Sequence, residues 1–504
     1  MIKRYYEDMP AGVVNIHCIQ LFAIFGFAAL LAMLNQYLQA QGMAVDKANL
    51  LTTSFFALNF LLHFLGGSVG GSFISYRGLF TWSLSLQILG LLCMIPSTLL
   101  PHILAIMGLP LSALNIIILG MAFFVTGSGL NVSCVNMMLT QLFDNKDQRR
   151  RVAFSVNYSL MNVGFLISYV ITNVWQVSEA FGMIFIISIV SLFIALIAHL
   201  LAWRHVHDKQ TYFVTQFKKY RGWYAAAPIV MLACLLMTYY LLHHVNLAAG
   251  LIDSVFVATL IAMIVLAFRQ TQYYRRCILV YIIVVAAGMV FAFVQGLQAS
   301  GLQNFIRFNT NGELLGLSLS PSGVNSFESL GVIIFGLLLA KQLKQWRYQD
   351  KMPPSYILVC RGLGFSVLAF LMIPLGVYSA SWSSGAQVQV LFPVLLSFLI
   401  AAAEVHINTT NYALVGEAAK PQHQGFFTGY LFVNIAVGNQ LAGYFSNMLT
   451  GGHQHLNQAS AALTNPIYLK MFLFLAGIAS ILTLIYALLS YVFKRYSILL
   501  ADEH

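Results

Sequence analysis

Apolar runs long enough to cross a bilayer recur about fourteen times along this chain, with short polar gaps between them. A helix needs roughly 20 predominantly apolar residues to bridge the hydrocarbon layer. The runs predict spans near 14–38, 50–74, 79–98, 112–141, 153–175 and 179–203, then two more near 222–243 and 247–269. Six others follow near 275–300, 324–346, 354–379, 388–418, 422–449 and 466–493. Lys and Arg collect in every second gap. Of the 26 basic residues only Lys47, Arg307 and Lys470 fall on the opposite side. An excess of Lys and Arg marks cytoplasmic loops, so both termini are expected in the cytoplasm. The layout divides into an N-terminal six-helix bundle (1–204), a basic linker with two extra helices (205–274) and a C-terminal six-helix bundle (275–504). The loops at 305–323 and 450–465 are the longest outer ones, too short to be modules.

Composition agrees with an all-α polytopic membrane protein: 59% hydrophobic and 8% charged residues, with a mean hydropathy of +0.80. The net charge of +11 sits at span ends, where it orients the chain and meets anionic headgroups, so nucleic acid is not an expected partner. The six cysteines are scattered, with no ligand-type spacing; neither a disulfide framework nor a metal site is indicated, and no cofactor is expected. The start, MIKRYYEDMPAG, lacks a small-residue cleavage site, so the first apolar run is expected to be a retained span. A compact chain with short loops fits a bacterial inner membrane protein, expected to be monomeric.

Three stretches carry a family resemblance. In the segment from Gly127 to Gly164, the residues Gly127, Gly129, Asp144, Asp147, Arg149, Phe154, Ser155, Tyr158, Asn162 and Gly164 align without a gap. They match the fourth and fifth helices of proton-dependent oligopeptide transporters: a G-x-G-x-F-K-P-N pattern, a D-x-x-x-D-x-R loop and F-S-x-x-Y-x-x-I-N-x-G. The segment 404–443, from Glu404 through Pro421 to Gly438-Asn439 and Ala442-Gly443, resembles that family's tenth and eleventh helices. Segments 294–310 and 320–335 are similar to its seventh and eighth. The resemblance implies the major facilitator fold, two six-helix halves working by alternating access about a midplane site, with the extra helix pair typical of bacterial members.

The departures are specific. The family's first helix carries E-x-x-E-R-F-x-Y-Y-G, where this chain has His17, Gln20, Leu21, Phe22 and Gly26. The fourth-helix lysine is Val132, and a G-G-x-x-x-D-R motif is reduced to Gly66-Gly67 with Gly71 and Ser72 in place of its charges. A tryptophan of the eleventh helix is Leu431. The ion pairs that couple protons to transport in ordinary members cannot form, because their basic partners are gone.

Ionisable groups inside spans are costly and mark pathways. The acids inside span interiors are Asp253, Glu328 and Glu404. Glu404 matches the family glutamate that receives a peptide amino terminus; the plainer alternative is a buried carboxyl bonded to a neighbouring helix. Glu328 stands where the family has asparagine, and reads equally as a pathway residue or a wetted rim. Asp253 reads as a solvated helix-start residue. His17 could take over proton handling with Glu404, or could be a neutral ring bonded in the bundle. His63 reads as packing. His243, His244, His453 and His455 read as solvated loop residues rather than metal ligands. Asn162 follows a family position that contacts peptide backbone, and its amide suits a ligand with donors and acceptors. Tyr158, Gln20, Gln295, Asn131 and Asn434 are further candidates for the pathway. The GxG at 127–129 and the glycines of 66–71 serve close helix packing and are not phosphate loops.

Together these readings point to a secondary active transporter of a small polar, peptide-like or amino-acid-derived solute, with symport of protons through Glu404. An ammonium-bearing or neutral ligand fits a site without fixed cations better than a zwitterionic dipeptide. The alternatives are an exporter or uniporter of a siderophore-like or drug-like metabolite, and a transporter-shaped sensor that moves nothing. A membrane enzyme is disfavoured, because no span carries a nucleophile–base pair.

Overall fold

Long helices take up the predicted runs nearly end to end. The computed structural model describes residues 9–71, 74–95, 112–143, 147, 149–206, 208, 211–216, 223–349, 355–381, 386–418, 424–450 and 460–501. In chain order the helices are α1 (Val13–Ala40), α2 (Val45–Val69), α3 (Tyr76–Met94), α4 (Ala113–Gln141), α5 (Arg149–Val177), α6 (Phe181–Leu201) and the short α7 (Tyr212–Gln216). They continue as α8 (Trp223–His243), α9 (Val245–Phe268), α10 (Gln272–Gln298), α11 (Gly301–Asn309), α12 (Pro321–Tyr348), α13 (Ser355–Ala380), α14 (Leu391–Ala418), α15 (Gln424–Leu449) and α16 (Ala461–Ala501). Among the described residues twelve helices are long and apolar enough to span a membrane, and α8 adds a shorter apolar stretch, Pro228–His243. The remaining long helix, α15, is polar for a different reason. Asn434, Asn439, Gln440 and Ser446 are all buried, so its polar groups face protein rather than lipid.

The chain forms two compact units, one of Met1–Tyr37 with Ser54–Ile252 and the other of Leu38–Thr53 with Asp253–His504. In the first, α3 and α4 approach until their backbones touch. A Cβ on Gly90 would lie 2.5 Å from the Gly120 carbonyl oxygen, and one on Gly120 2.7 Å from that of Gly90. Small residues at such crossings let dispersion contacts hold helices together where lipid removes the hydrophobic drive. The predicted packing role of Gly129 and Gly66 is also met, against Leu62 and Leu130 respectively. Polar side chains stitch α5 along α1: Ser168 donates to the Phe25 carbonyl at 2.9 Å, and Gln176 donates to Ala32 at 2.9 Å and to Gln36 at 2.9 Å. The linker returns a carboxylate to the loop before α3. Asp208 accepts from the Tyr76 N–H at 3.0 Å, and Ser75 caps the same helix by accepting from Gly78 at 3.2 Å.

In the second unit, α10 packs on α15 through Gly438, where a Cβ would meet the Met289 carbonyl at 2.5 Å. A core of Val332 and Leu339 on α12, Leu358 on α13, and Ala401 and Val405 on α14 joins three helices. The region 305–323, expected as loop, holds α11 and a hairpin pairing Glu313–Leu314 with Leu317–Ser318. Its turn residues, Leu315 (φ 52) and Gly316 (φ 80), are both left-handed, as a type I′ turn demands. A chain of amides, buried at Asn49 and Asn304 and partly buried at Gln39 and Asn447, runs through this unit. Gln39 donates to Asn304 at 2.8 Å, Asn304 to Asn49 at 3.1 Å, and Asn49 to Asn447 at 3.1 Å.

Candidate functional site

The second unit gathers carboxyl and amide groups from three helices. Its central element is α14, which from Ile400 to Asn411 is buried except at Glu404, Asn408 and Thr409. Glu404 and Asn408 are one turn apart, and the Asn408 amide hydrogen-bonds the Glu404 carboxyl. Glu328, on α12, lies within electrostatic reach of Glu404. Gln298, at the last turn of α10, donates to Glu328 Oε2 at 2.7 Å. Glu328 is thus bonded to α10 and partly buried. Neither carboxyl has a Lys or Arg partner: among the described residues the ion pair is Arg149–Asp147, on the other unit.

Register places Gln295 at the same level. Gly288 of α10 packs directly on Asn411 of α14, since a Cβ there would meet the Asn411 Nδ2 at 2.5 Å. The two helices run antiparallel, so about 10 Å along each from that crossing Gln295 comes level with Glu404. Asn411 is fully buried, and neither its Nδ2 nor its Oδ1 has a partner. Beyond it, Tyr412 sits two turns from Glu404 and within its electrostatic reach, and is half exposed. Tyr281, Tyr412 and Tyr430 neighbour one another there, with the Tyr281 ring 4.9 Å from Phe427 and its hydroxyl donating to the Phe427 carbonyl at 2.8 Å. The arrangement suits a ligand that brings positive charge and several donors.

The other sequence-derived candidates are placed differently. Asn434 is buried on α15 and donates to the Tyr430 carbonyl at 2.7 Å, leaving its Oδ1 unpartnered. In the first unit the His17 ring nitrogen bonds the Ala153 carbonyl at 3.1 Å, joining α1 to α5, and Gln20 is buried one turn further on. Asn162 turns back to donate to the Tyr158 carbonyl at 3.0 Å, Tyr158 is partly exposed, and Asn131 is half-buried on α4. The Val132 side chain, His453 and His455 lie outside the described residues. His63 donates to the Asn59 carbonyl at 2.7 Å. Asp253 does not open its helix: it lies within α9, exposed, and accepts from Gln440 at 3.2 Å. Among the described residues no three His, Cys, Asp or Glu come together as a metal site.

Sequence reasoning missed Gln298, Asn408, Asn411 and Tyr412. A signal existed for two of them, since Asn408 and Tyr412 follow Glu404 at one and two helical turns. Gln298 could be found only through its contact with α12.

The comparisons with known proteins agree on what surrounds this cluster. The chain is 24% identical over 452 residues to dipeptide and tripeptide permease A of Escherichia coli, covering 87% of this chain and 84% of that one. It is 24% identical to the permease of the same name from Chromobacterium violaceum, covering 95% and 93%. Among solved structures it resembles a bacterial homologue of the human drug peptide transporters PepT1 and PepT2, with a TM-score of 0.78 at 17% identity, covering 96% of this chain and 99% of that one. A POT family transporter in complex with 5-aminolevulinic acid gives a TM-score of 0.76 at 19% identity, covering 95% and 96%. The fold is therefore that of the major facilitator superfamily, in an integral membrane protein. The POT family profile matches residues 78–462, the greater part of the sequence, and the chain belongs to that family.

Proposed function

We propose that this chain is a proton-coupled secondary transporter of a small peptide-like or amino-acid-derived solute that presents an ammonium group and lacks a free carboxylate. The observation that carries this reading is the Glu328–Glu404 pair, flanked by Gln298 and Asn408 and free of any Lys or Arg partner among the described residues. Two carboxyls in a membrane-buried site recruit a cation. Amides on either side supply the donors and acceptors that a peptide-like backbone needs. The relatives named as dipeptide and tripeptide permeases support the peptide-like half of the proposal, and the complex with 5-aminolevulinic acid supports a small amino-acid-like ligand. The loss of cations at Leu21 and Val132 supports the charge preference.

In this reading residues 1–204 and 275–504 are the two halves that rock by alternating access, with 205–274 as the inserted helix pair. The protein works as a monomer in a bacterial inner membrane with both termini cytoplasmic, since nearly all its Lys and Arg lie on one side. Glu404 and Glu328 hold the ammonium and the coupling proton, with Gln298 and Asn408 as their polar neighbours. Proteoliposome uptake of a dipeptide, its C-terminal amide and its N-acetyl form provides the test. The amide should move fastest, and faster still with an inward proton gradient. Uptake of all three no faster than into empty vesicles overturns the proposal, and right-side-out against everted vesicles separates import from export.

A further inference from the structure

A groove of about 660 Å³ opens on the outside of α12 and α13, away from the acid pair. Its walls follow helical spacing: Phe335, Leu338 and Gln342 on α12, and Arg361, Gly364 and Leu368 on α13. Consecutive antiparallel helices make these walls mirror one another. Gln342 and Arg361 are equally far from the helix ends at Tyr348 and Ser355, and Phe335 and Leu368 lie about 10 Å deeper on each helix. The groove therefore has one polar, cationic end and one apolar end, graded along the bilayer normal. The polar end lies near the limits of the two spans, Pro321–Trp346 and Tyr356–Ala380.

The two ends have different surroundings. At the apolar end Leu338 and Leu368 are each about half exposed, and a Cβ added at Gly364 would meet nothing within 4 Å. At the polar end the Arg361 guanidinium is held over the Trp346 ring, 4.9 Å from its centroid, with no carboxylate paired to it among the described residues. Two further cations, Lys341 and Lys344, lie within the last eight residues of α12. His406 closes the floor, its ring 5.5 Å from Phe365 and its Nδ1 bonded to the Ala402 carbonyl at 2.8 Å.

We propose that this groove binds one anionic glycerophospholipid of the surrounding bilayer, with the phosphate on Arg361 and Gln342 and an acyl chain along Phe335, Leu338 and Leu368. An amphiphile matches the graded groove as neither a soluble anion nor a neutral lipid does. A soluble anion leaves the apolar end empty. A zwitterionic lipid offsets its own phosphate charge beside Arg361. The floor residue, His406, is two positions from Glu404 on α14, so the bound lipid abuts the helix that carries one member of the acid pair.

The test is lipid retention by the purified full chain, measured by native mass spectrometry and independent of transport. Phosphatidylglycerol, phosphatidylcholine with the same acyl chains, and glycerol phosphate are added in turn. Phosphatidylglycerol should be retained about fivefold better than phosphatidylcholine, the expectation for one cation near a headgroup, and glycerol phosphate should not be retained. Arg361→Gln should remove the preference. Gly364→Leu, whose side chain grows into open space, should lower retention of both lipids and needs no change in packing. Equal retention of the two lipids overturns the proposal, as does an unchanged preference in Arg361→Gln, unchanged retention in Gly364→Leu, or glycerol phosphate binding as well as the whole lipid.

Discussion

Replacing Glu404 by Gln separates charge from shape at the acid pair. The amide keeps the side chain's length and still offers an oxygen to Asn408, so packing along α14 is expected to survive. What is lost is one carboxylate facing the ligand's ammonium. A hydrogen bond to a charged group contributes about 1.5–3 kcal/mol net, so affinity for an amine ligand should fall roughly 10- to 100-fold. Glu328 already has one oxygen engaged by Gln298 at 2.7 Å, so Glu328→Gln should weaken binding less. The double variant should bind little more weakly than Glu404→Gln alone, because one carboxyl holds the ammonium and the other the proton. An N-acetylated analogue of the same ligand has no such charge, and its affinity should change by no more than about threefold. His17→Gln lies on the other unit, where the ring bonds Ala153, and should leave the amine-to-acetyl ratio unchanged. Isothermal titration of the purified variants with both ligands measures these ratios. Equal weakening of amine and acetyl forms by Glu404→Gln, or none for either, would refute the argument.

Three further outcomes follow from packing, polar satisfaction and charge. Gly90→Leu drives a side chain into the Gly120 carbonyl and should cost about 1–3 kcal/mol; Gly336→Ala, where a Cβ meets nothing, should be neutral or slightly stabilising, as thermal unfolding in detergent will show. Asn304→Leu removes one hydrogen bond each from Gln39 and Asn49, at about 0.5–1.5 kcal/mol apiece, and should speed hydrogen exchange in α11. The Arg149 hydrogen bonds hold the Asp147 carboxyl below its ordinary value, so this link is present at neutral pH and lost as pH falls through and below the carboxylate range. Protection of the amides at the start of α5, corrected for the pH dependence of intrinsic exchange, should accordingly fall in acid, and Asp147→Asn should show the acid-like protection at pH 7.

The helices were legible because the bilayer dictates their length and composition; each predicted span falls within a few residues of a helix. Rotation about the helix axes was not legible. A span such as α14 is apolar nearly all round, so nothing in its sequence says which side meets α10 and which meets α12. The end of α10 was legible at residue 300, but α11 was hidden, since its polar, uncharged residues read like a loop after a span end. Glu404, Glu328 and Gln295 stood out as polar residues in apolar surroundings, and Glu328 lies within electrostatic reach of Glu404. Gln298 and Asn411 looked like the other amides of the chain until their neighbours were known. Asp208 is the sharpest case: nothing in a strongly basic linker singles it out, yet it accepts from the first backbone N–H of α3.

The acid pair constrains the order of events on the proposed reading. An uncompensated charge in a membrane-buried site is costly, so a bundle holding two carboxyls and no fixed cation closes readily only when their charge is offset from outside. Protons offset it, and so does a ligand's ammonium. If a single occupant served both carboxyls, proton and ligand would exclude one another and the protein would exchange them across the membrane. Two carboxyls permit a different solution, with the ammonium on one and a proton on the other, which closes electrically neutral and carries both in the same direction. The asymmetry of the site favours this second arrangement: Glu328 is bonded to Gln298, Glu404 to Asn408, and the two have separate polar neighbours. The consequence is one proton per ligand, measurable as paired fluxes in proteoliposomes. Glu328→Gln should then keep ligand uptake down its own gradient while abolishing the response to pH. Fluxes of opposite sign, with protons leaving as ligand enters, would show instead that the two compete for one place.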